Sequence, residues 1–227
     1  KIRKQVVVIG GGPAGMKAAL TADRRGHQVT LLEQNSSLGG ALTIFNQEPH
    51  KLDLRRYRDY LIEQIAKSGV NVRLNTKATP ELVKNLNPDH LILALGGKWA
   101  IPPIPGIERG LTPAQAYTNP IPNGKSVAIL GGGAIGCELA LKFAETGCPV
   151  ALIEQGSELH RGENLLVGLA LDEHLKRCEN LKILRETCCL KVNSEHIVVE
   201  KTGVLMTIPA DVLIICTGIE PLSEEAD

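Results

Sequence analysis

The sequence predicts an α/β protein in which one strand–helix–strand architecture with a parallel sheet occurs twice. Runs of β-branched residues alternate with amphipathic segments, which is typical of parallel sheets covered by helices. Residues 6–38 align without a gap to residues 127–159, at a constant offset of 121 residues and with nearly half of the positions identical. Such self-similarity is the mark of a repeated architecture. A proline-rich stretch, residues 98–124, separates the two copies.

Composition limits the classes of function. The chain has 227 residues, of which 43% are apolar and 22% charged, as in soluble globular proteins. Lys and Arg (25) balance Asp and Glu (25), and only 3% of residues are aromatic. Neither nucleic acid nor a membrane is therefore expected as a partner. The six cysteines all lie beyond residue 136 and include no C-x-x-C pair, which argues against a disulfide framework or zinc site and favours a reducing, cytoplasmic compartment.

The elements of the first copy follow from its hydrophobic pattern. Gln5–Ile9 is a continuous apolar run, as expected of a strand buried on both faces. A helix over 13–25 ends at Gly26, and a strand follows over 28–33. The stripe of apolar residues over 53–68 predicts a second helix, and 70–74 and 91–95 predict two further strands.

The second copy repeats this order. Strands are predicted over 126–130 and 150–154, around a helix over 134–146, and a second helix over 165–178. Short strands over 182–184, 189–192, 196–200 and 204–208 include a small meander, and 212–216 returns to the sheet. Residues 212–218 align with 91–97 at the same offset. The prolines fix φ and interrupt regular structure, so we place an irregular connector over 106–124. The predicted domains are 1–105, 125–218 and a return to the first fold over 219–227.

The glycines of the first copy form a G-x-G-x-x-G motif between a strand and a helix. Gly10 would make the tight turn, Gly12 would let a pyrophosphate approach the backbone, and Gly15 would let helix and strand pack closely. The phosphates would lie at the helix N-terminus, which favours anions. Glu33 lies 23 residues after Gly10, where an acid accepts hydrogen bonds from a ribose diol.

The second copy has the same pattern in Gly131, Gly133 and Gly136, with Glu154 again 23 residues after the first glycine. A ribose 2′-phosphate would face this carboxylate, and residues 155–157 (QGS) supply no cation, so NAD(H) is favoured over NADP(H). A tight turn without a ligand is the alternative, weakened because strand, helix and acid occur together twice. Two dinucleotide sites in one chain suggest electron transfer between a flavin and a nicotinamide.

Several segments resemble one family: 10–16 (GGGPAGM), 26–33 (GHQVTLLE), 38–40 (LGG), 101–106 (IPPIPG) and 131–138 (GGGAIGCE). They are similar to the C-terminal FAD/NAD(P)-binding region of old yellow enzyme-like NADH:flavin oxidoreductases, such as 2,4-dienoyl-CoA reductase, enoate reductase and trimethylamine dehydrogenase. The resemblance implies two Rossmann-like, glutathione-reductase-like folds, the second inserted in the first. It implies an FAD site at Gly10, Gly12, Pro13, Ala14, Glu33, Gln34, Gly40, Ala94 and Gly96, and an NAD(H) site at Gly131, Gly133, Ala134, Ile135 and Glu154.

The resemblance also implies a larger enzyme. Hydride would pass from NADH to FAD and onward to an upstream TIM-barrel domain with FMN and a 4Fe–4S cluster, which would reduce an enoyl-type substrate. The family completes its FAD fold after the inserted copy with a strand and a Gly-Asp motif, so the chain is expected to be a fragment. Leu95 departs from the family, which usually has threonine there.

Other interpretations remain open. The chain could be a non-catalytic nucleotide-binding module, as the ADP of trimethylamine dehydrogenase suggests by resemblance. Related disulfide reductases need a redox cysteine pair, whereas Cys188 and Cys189 are expected in a strand, and a glutamate synthase small chain would need iron–sulfur cysteines. His160, Arg161 and Glu163 are expected in a solvated loop, with an adenosine contact as the alternative. The solvent-exposed face of a helix is expected to hold Asp172, Glu173, His174, Lys176 and Arg177. No catalytic acid, base, nucleophile or metal ligand is predicted.

Overall fold

The computed structural model describes residues 2–45, 51–161 and 164–222, and these residues divide into two units. The first unit holds the described residues up to Lys98 together with Pro221 and Leu222, and the second holds Trp99–Glu220. Among the described residues, no helix combines the length and the apolar composition that crossing a bilayer requires.

The first unit is built on a four-stranded parallel sheet in the order β3-β2-β1-β4. Helices α1 and α2 pack their apolar faces on it, with Met16, Ala19 and Leu61 fully buried against Val8 and Leu31. The elements are β1 (Gln5–Ile9), α1 (Pro13–Arg24), β2 (Gln28–Leu32), a 3-10 turn (Gly40–Phe45), α2 (Leu52–Ala66), β3 (Asn71–Arg73), α3 (Pro80–Leu86), β4 (His90–Leu93) and β5 (Gly97–Trp99), in which the chain leaves the unit.

The second unit has an equivalent parallel sheet in the order β12-β6-β7-β8, with an added three-stranded antiparallel meander. Helix α5 packs on β6 and β7, while alternate residues of these strands form a core with the meander, among them Leu130, Ile153 and Ile197. The elements are a 3-10 turn (Ile107–Arg109), α4 (Pro113–Thr118), β6 (Val127–Leu130), α5 (Ala134–Glu145), β7 (Val150–Ile153), α6 (Leu165–Lys176), β8 (Leu181–Leu184), β9 (Thr187–Val192), β10 (His196–Lys201), β11 (Val204–Pro209), β12 (Val212–Ile215) and β13 (Ile219–Pro221).

The predicted α/β class and parallel sheets are confirmed, but the proline-rich stretch is not irregular throughout. It contains α4, which opens with a capping box. The Thr112 hydroxyl accepts a hydrogen bond from the Gln115 amide (3.4 Å), and the Gln115 side chain accepts one from the Thr112 amide (2.8 Å). Pro113 takes the first helical position, where its missing N–H has no acceptor to lose. Residues 106–124, predicted as a connector, lie in the second unit, and the division between the two units falls after Lys98.

The alignment of the returning strands at an offset of 121 residues is wrong by one residue. Val6 pairs with His90 and Val127 pairs with Val212, so the returning strands correspond at an offset of 122. The sheet register decides this point, because a shift of one residue would exchange the two faces of the strand. Ala94 therefore corresponds to Cys216, and Gly96 corresponds to Gly218. The two glycines both have a positive φ.

An aspartate ties the returning strand to the central strand in each unit. In the second unit, the Asp211 carboxylate accepts hydrogen bonds from the Ser126 amide and hydroxyl (2.8 Å each) and from Lys125 Nζ (3.0 Å). Asp89 makes the corresponding bonds with the Gln5 amide (2.8 Å) and Lys4 Nζ (3.3 Å). Hydrogen bonds to Ser126 lower the Asp211 pKa to about 2, and the bond from Gln5 lowers the Asp89 pKa.

We expect these ties to shape acid unfolding. The folded-state pKa of Asp211 lies below its ordinary value of 3.8, so its contribution is fully present above pH 3.8 and is lost as the pH falls toward 2. In Asp211→Asn, the melting temperature should fall less steeply over this range than in the wild type. Differential scanning fluorimetry across the range measures this, with the exposed Glu173→Gln as control. Parallel curves for wild type and Asp211→Asn would contradict the assignment.

Candidate functional site

The first glycine loop connects the carboxyl end of β1 to α1, and two of its glycines are required by the fold itself. Gly10 has a φ of +105°, and a Cβ on it would overlap the carbonyl oxygen of Ala94. A Cβ on Gly15 would overlap the carbonyl oxygen of Gly10. These contacts hold α1 close to the ends of β1 and β4, as the sequence predicts for the first and third glycines.

Gly12 is different, because the fold of the unit does not require it. Its φ is −73°, which other residues adopt freely, and the nearest atom to a Cβ there is the Gly40 Cα, at 3.8 Å. Gly12 is the N-cap of α1, and no side chain caps this described helix end. Side chains of Thr79, Thr112 and Asn164 cap α3, α4 and α6, whereas α2 and α5 also begin without a side-chain cap. The first turn of α1 is thus arranged for an external acceptor such as a phosphate.

Glu33, which follows β2, anchors this loop. Its Oε2 accepts a hydrogen bond from the Gly11 amide (2.6 Å), and its Oε1 accepts from the Asn35 amide (2.8 Å) and side-chain Nδ2 (2.7 Å). The residue is only 5% exposed. A carboxylate has about four acceptor positions, so these three donors leave room for one further hydrogen bond. Sequence reasoning assigned Glu33 only to a ribose and missed its role in holding the loop.

We expect Glu33→Leu to destabilise the first unit. The substitution leaves the buried amide of Gly11 unpaired, which costs about 1–3 kcal/mol of unfolding free energy. Urea denaturation followed by circular dichroism measures the loss. Glu63→Leu on the exposed face of α2 is the matched control, because it removes only an exposed ion pair with Lys67 and should cost less than about 0.5 kcal/mol. Equal losses in the two variants would contradict the anchoring role.

The remaining residues predicted for the first site lie around this loop. Pro13 and Ala14 begin α1, and Gly40 lies against Gly12. The Gly39 amide donates to the Gly11 carbonyl oxygen (2.9 Å), which fixes the other side of the loop. The backbone of Ala94 lies beneath Gly10, while Gln34 and Gly96 are exposed beside Glu33 and beyond Ala94.

The second unit builds the same loop. Gly131 has a φ of +103°, a Cβ on it would overlap the Cys216 carbonyl oxygen, and a Cβ on Gly136 would overlap the carbonyl oxygen of Gly131. Gly133 has a φ of −68° and nothing within 4 Å of a Cβ, and it is the N-cap of α5 without a side-chain cap. Ala134 and Ile135 form the uncapped first turn.

Glu154 holds this second loop as Glu33 holds the first. Its Oε2 accepts from the Gly132 amide (2.6 Å) and its Oε1 from the Gly156 amide (2.6 Å). Gly156 replaces Asn35 of the first copy, so the side-chain donor is lost. Glu154 is only partly buried, and it retains more acceptor capacity for a ligand than Glu33 does.

The expectation of a solvated loop at His160 is wrong. His160 is buried, its amide donates to the Gly132 carbonyl oxygen (2.9 Å), and its Nε2 lies 2.9 Å from Asp172 Oδ1. Asp172 is only partly exposed, with 34% of its side chain accessible, whereas Glu173 and His174 are exposed as expected. Sequence patterns could not reveal this pair, since neither side chain interrupts a hydrophobic stripe. Arg161 is exposed, and Glu163 lies outside the described residues.

The cysteines of the described residues are all free thiols. Cys137 is buried and Cys216 partly buried beside the second loop, and desolvation raises the pKa of each to about 12, so both are protonated at neutral pH. Cys188 and Cys189 lie in β9, which confirms their prediction as part of a strand.

Two anchored glycine loops at the ends of parallel strands define the dinucleotide-binding class of flavoprotein oxidoreductase folds. Within that class the chain belongs to the pyridine nucleotide-disulphide oxidoreductase family, whose model matches residues 4–227. An NADH oxidase of Thermoanaerobacter brockii is 40% identical over 70% of this chain, and a bilirubin reductase of Mediterraneibacter gnavus (strain CC55_001C) is 33% identical over 96%. The structure of a 2-naphthoyl-CoA reductase complex is 30% identical over 96% of this chain, with a TM-score of 0.85.

These similarities confirm the resemblance to old yellow enzyme-like NADH:flavin oxidoreductases. The chain spans 25% of the NADH oxidase and 34% each of the bilirubin reductase and the 2-naphthoyl-CoA reductase. It corresponds to about a quarter to a third of the length of these relatives.

Proposed function

We propose that the first unit binds FAD, the second binds NAD(H), and the chain transfers hydride between them. The FAD site would consist of Gly10, Gly12, Pro13, Ala14, Glu33, Gln34, Gly40, Ala94 and Gly96. The NAD(H) site would consist of Gly131, Gly133, Ala134, Ile135 and Glu154.

One observation carries the proposal: the middle glycine of each loop serves no purpose within the fold. Gly12 and Gly133 have ordinary φ values and open space where a side chain would lie, next to uncapped helix ends. A pyrophosphate at each position would make use of all three properties, because it needs close backbone approach, free amides and the helix dipole. The first and third glycines would be needed in a loop without a ligand, but the middle ones would not.

The second site favours NADH over NADPH. The Glu154 carboxylate suits the hydroxyls of an unmodified ribose and repels a 2′-phosphate, and residues 155–157 contribute no cation. FAD, when bound, supplies the flavin that accepts hydride from the nicotinamide. The residues of this chain would bind and orient the two cofactors, and the protonated thiols of Cys137 and Cys216 would take no part in the chemistry.

For the whole protein we propose a longer cytoplasmic oxidoreductase. Its upstream TIM-barrel domain would carry FMN and a 4Fe–4S cluster, receive electrons from this module and reduce an enoyl-type substrate. The names of the relatives, which include an NADH oxidase and a 2-naphthoyl-CoA reductase, support a reductase of this kind. A nucleotide-binding module that holds ADP in place of FAD is the second candidate.

A spectroscopic titration tests the proposal. The purified chain is incubated with FAD, freed of unbound flavin, and titrated with NADH in the absence of oxygen. A retained flavin absorbance that bleaches with NADH is the expected result. A colourless chain that binds ADP, and remains colourless even when extended at its C-terminus by the following segment of its gene, would favour the second candidate.

A further inference from the structure

The second glycine loop has a side-chain tie that the first loop lacks. His160 occupies the position that Gly39 occupies in the first copy. The His160 amide donates to the Gly132 carbonyl oxygen as the Gly39 amide donates to the Gly11 carbonyl oxygen, at 2.9 Å in both cases. His160 has a φ of +53°, in the left-handed region, and Gly39 has a φ of +125°. A non-glycine residue is uncommon in that region, so the imidazole is retained at a backbone position where glycine would be less strained.

The imidazole joins the loop to α6. The His160 side chain is 7% exposed, and its Nε2 lies 2.9 Å from Asp172 Oδ1. The other ring nitrogen, Nδ1, is buried and has no hydrogen-bond partner among the described residues. An ionised carboxylate only accepts hydrogen bonds, so Nε2 is the donor to Asp172. The ring packs on α6 at Gly168, where a Cβ would lie 3.5 Å from His160 Cδ2.

This tie sets the direction of one amide. The His160 amide holds the Gly132 carbonyl oxygen, and Glu154 holds the Gly132 amide. Because a trans peptide is planar, the carbonyl of Gly132 and the amide of Gly133 point in opposite directions. Holding the carbonyl against His160 therefore turns the Gly133 amide away from it, toward the open side of the loop.

We propose that His160 and Asp172 are a positioning pair for the nicotinamide dinucleotide, acting through the Gly132–Gly133 peptide. The inference rests on the proposed function of the second unit. The pair touches no substrate itself. It keeps the amide aimed at the pyrophosphate, and it thereby sets the affinity of the second site without affecting the first.

Four variants test the pair, with NADH as the probe. His160→Gly removes the imidazole but keeps the amide and relieves the backbone strain. Asp172→Leu removes the acceptor, whereas Asp172→Asn keeps an oxygen that can accept from Nε2. Glu173→Leu is the matched control on α6, because its carboxylate pairs only with Arg177 at the surface. Melting temperatures are recorded so that binding is compared between folded proteins.

We expect the NADH dissociation constant to rise about tenfold in His160→Gly and Asp172→Leu, because a misdirected Gly133 amide would weaken one hydrogen bond to the pyrophosphate. Asp172→Asn and Glu173→Leu should stay within about twofold of wild type. The double variant His160→Gly/Asp172→Leu should bind NADH no more weakly than either single variant, because the two residues act as a unit. FAD affinity and the hydride-transfer rate at saturating NADH should not change.

Two results would overturn the inference. Wild-type affinity in His160→Gly would show that the imidazole is dispensable, and equal losses in Asp172→Asn and Asp172→Leu would show that the hydrogen bond is not what matters. A wild-type chain that binds neither NADH nor NAD⁺ would instead refute the proposed function, and the positioning role with it.

Discussion

The Gly133→Asp variant should lose NADH binding while its melting temperature stays the same or rises. Position 133 has a φ of −68° and open space at the Cβ, so an aspartate fits without strain. It also lies at the N-cap of α5, where aspartate stabilises a helix by a few tenths of a kcal/mol relative to glycine. The same carboxylate would occupy and repel the position of a pyrophosphate, and we expect at least about a hundredfold weaker binding, in line with several kcal/mol of like-charge repulsion.

Fluorescence titration with NADH and differential scanning fluorimetry measure the two effects. Gly12→Asp is the mirror experiment, because the equivalent change in the first unit should abolish FAD retention and leave NADH binding intact. Gly133→Ala separates charge from volume and should weaken binding less than the aspartate does. An aspartate variant that binds NADH with wild-type affinity would exclude the second loop as the nucleotide site.

The Gly136→Ala variant should be the most damaging glycine substitution in the second unit. A Cβ at this position would overlap the backbone carbonyl oxygen of Gly131, and a backbone atom cannot rotate aside as a side chain can. Helix α5 would have to move away from β6, and we expect about 3 kcal/mol or more of lost unfolding free energy, at the upper end of overpacking effects. Urea denaturation measures this loss.

Gly133→Ala is the control for this prediction too, since it makes the same chemical change three residues earlier. It meets nothing within 4 Å, so its cost is limited to the poorer N-cap, about 1 kcal/mol or less. The two variants also separate structural from functional glycines within one motif. Similar stabilities for Gly136→Ala and Gly133→Ala would show that α5 does not pack as closely on the strand as we describe.

Much of the fold follows from local sequence patterns. Short-range signals predict the apolar runs of β1 and β6, the apolar stripe on α2 and the glycine that ends α1. The sequence repeat then locates both glycine loops without any knowledge of the tertiary contacts. The register of the returning strands does not follow in this way. Val6 and His90 are far apart in sequence, and a one-residue difference in the length of the intervening segment is visible only in the pairing.

Of the candidate site, too, the sequence predicts one part and not the other. The glycines and the acids Glu33 and Glu154 are predictable, because the spacing of the motif carries their identity. The second role of the acids is not, since a carboxylate at the end of a strand can equally face a ribose or a neighbouring loop amide. The His160–Asp172 pair depends on how α6 turns back over the loop, which no short-range signal specifies. Helix α4 is hard to predict from sequence, because proline usually interrupts regular structure, whereas Pro113 begins this helix.

The glycines of each loop differ in what requires them, and this difference predicts how the loops evolve. Gly10 and Gly15 are fixed by the packing of their own unit, so selection for stability alone would preserve them in a copy that no longer binds anything. Gly12 and Gly133 have no such protection and would drift once the nucleotide was gone. Among natural descendants of this duplicated architecture, the middle glycine should therefore be the first of the three to disappear from a half that has lost its cofactor.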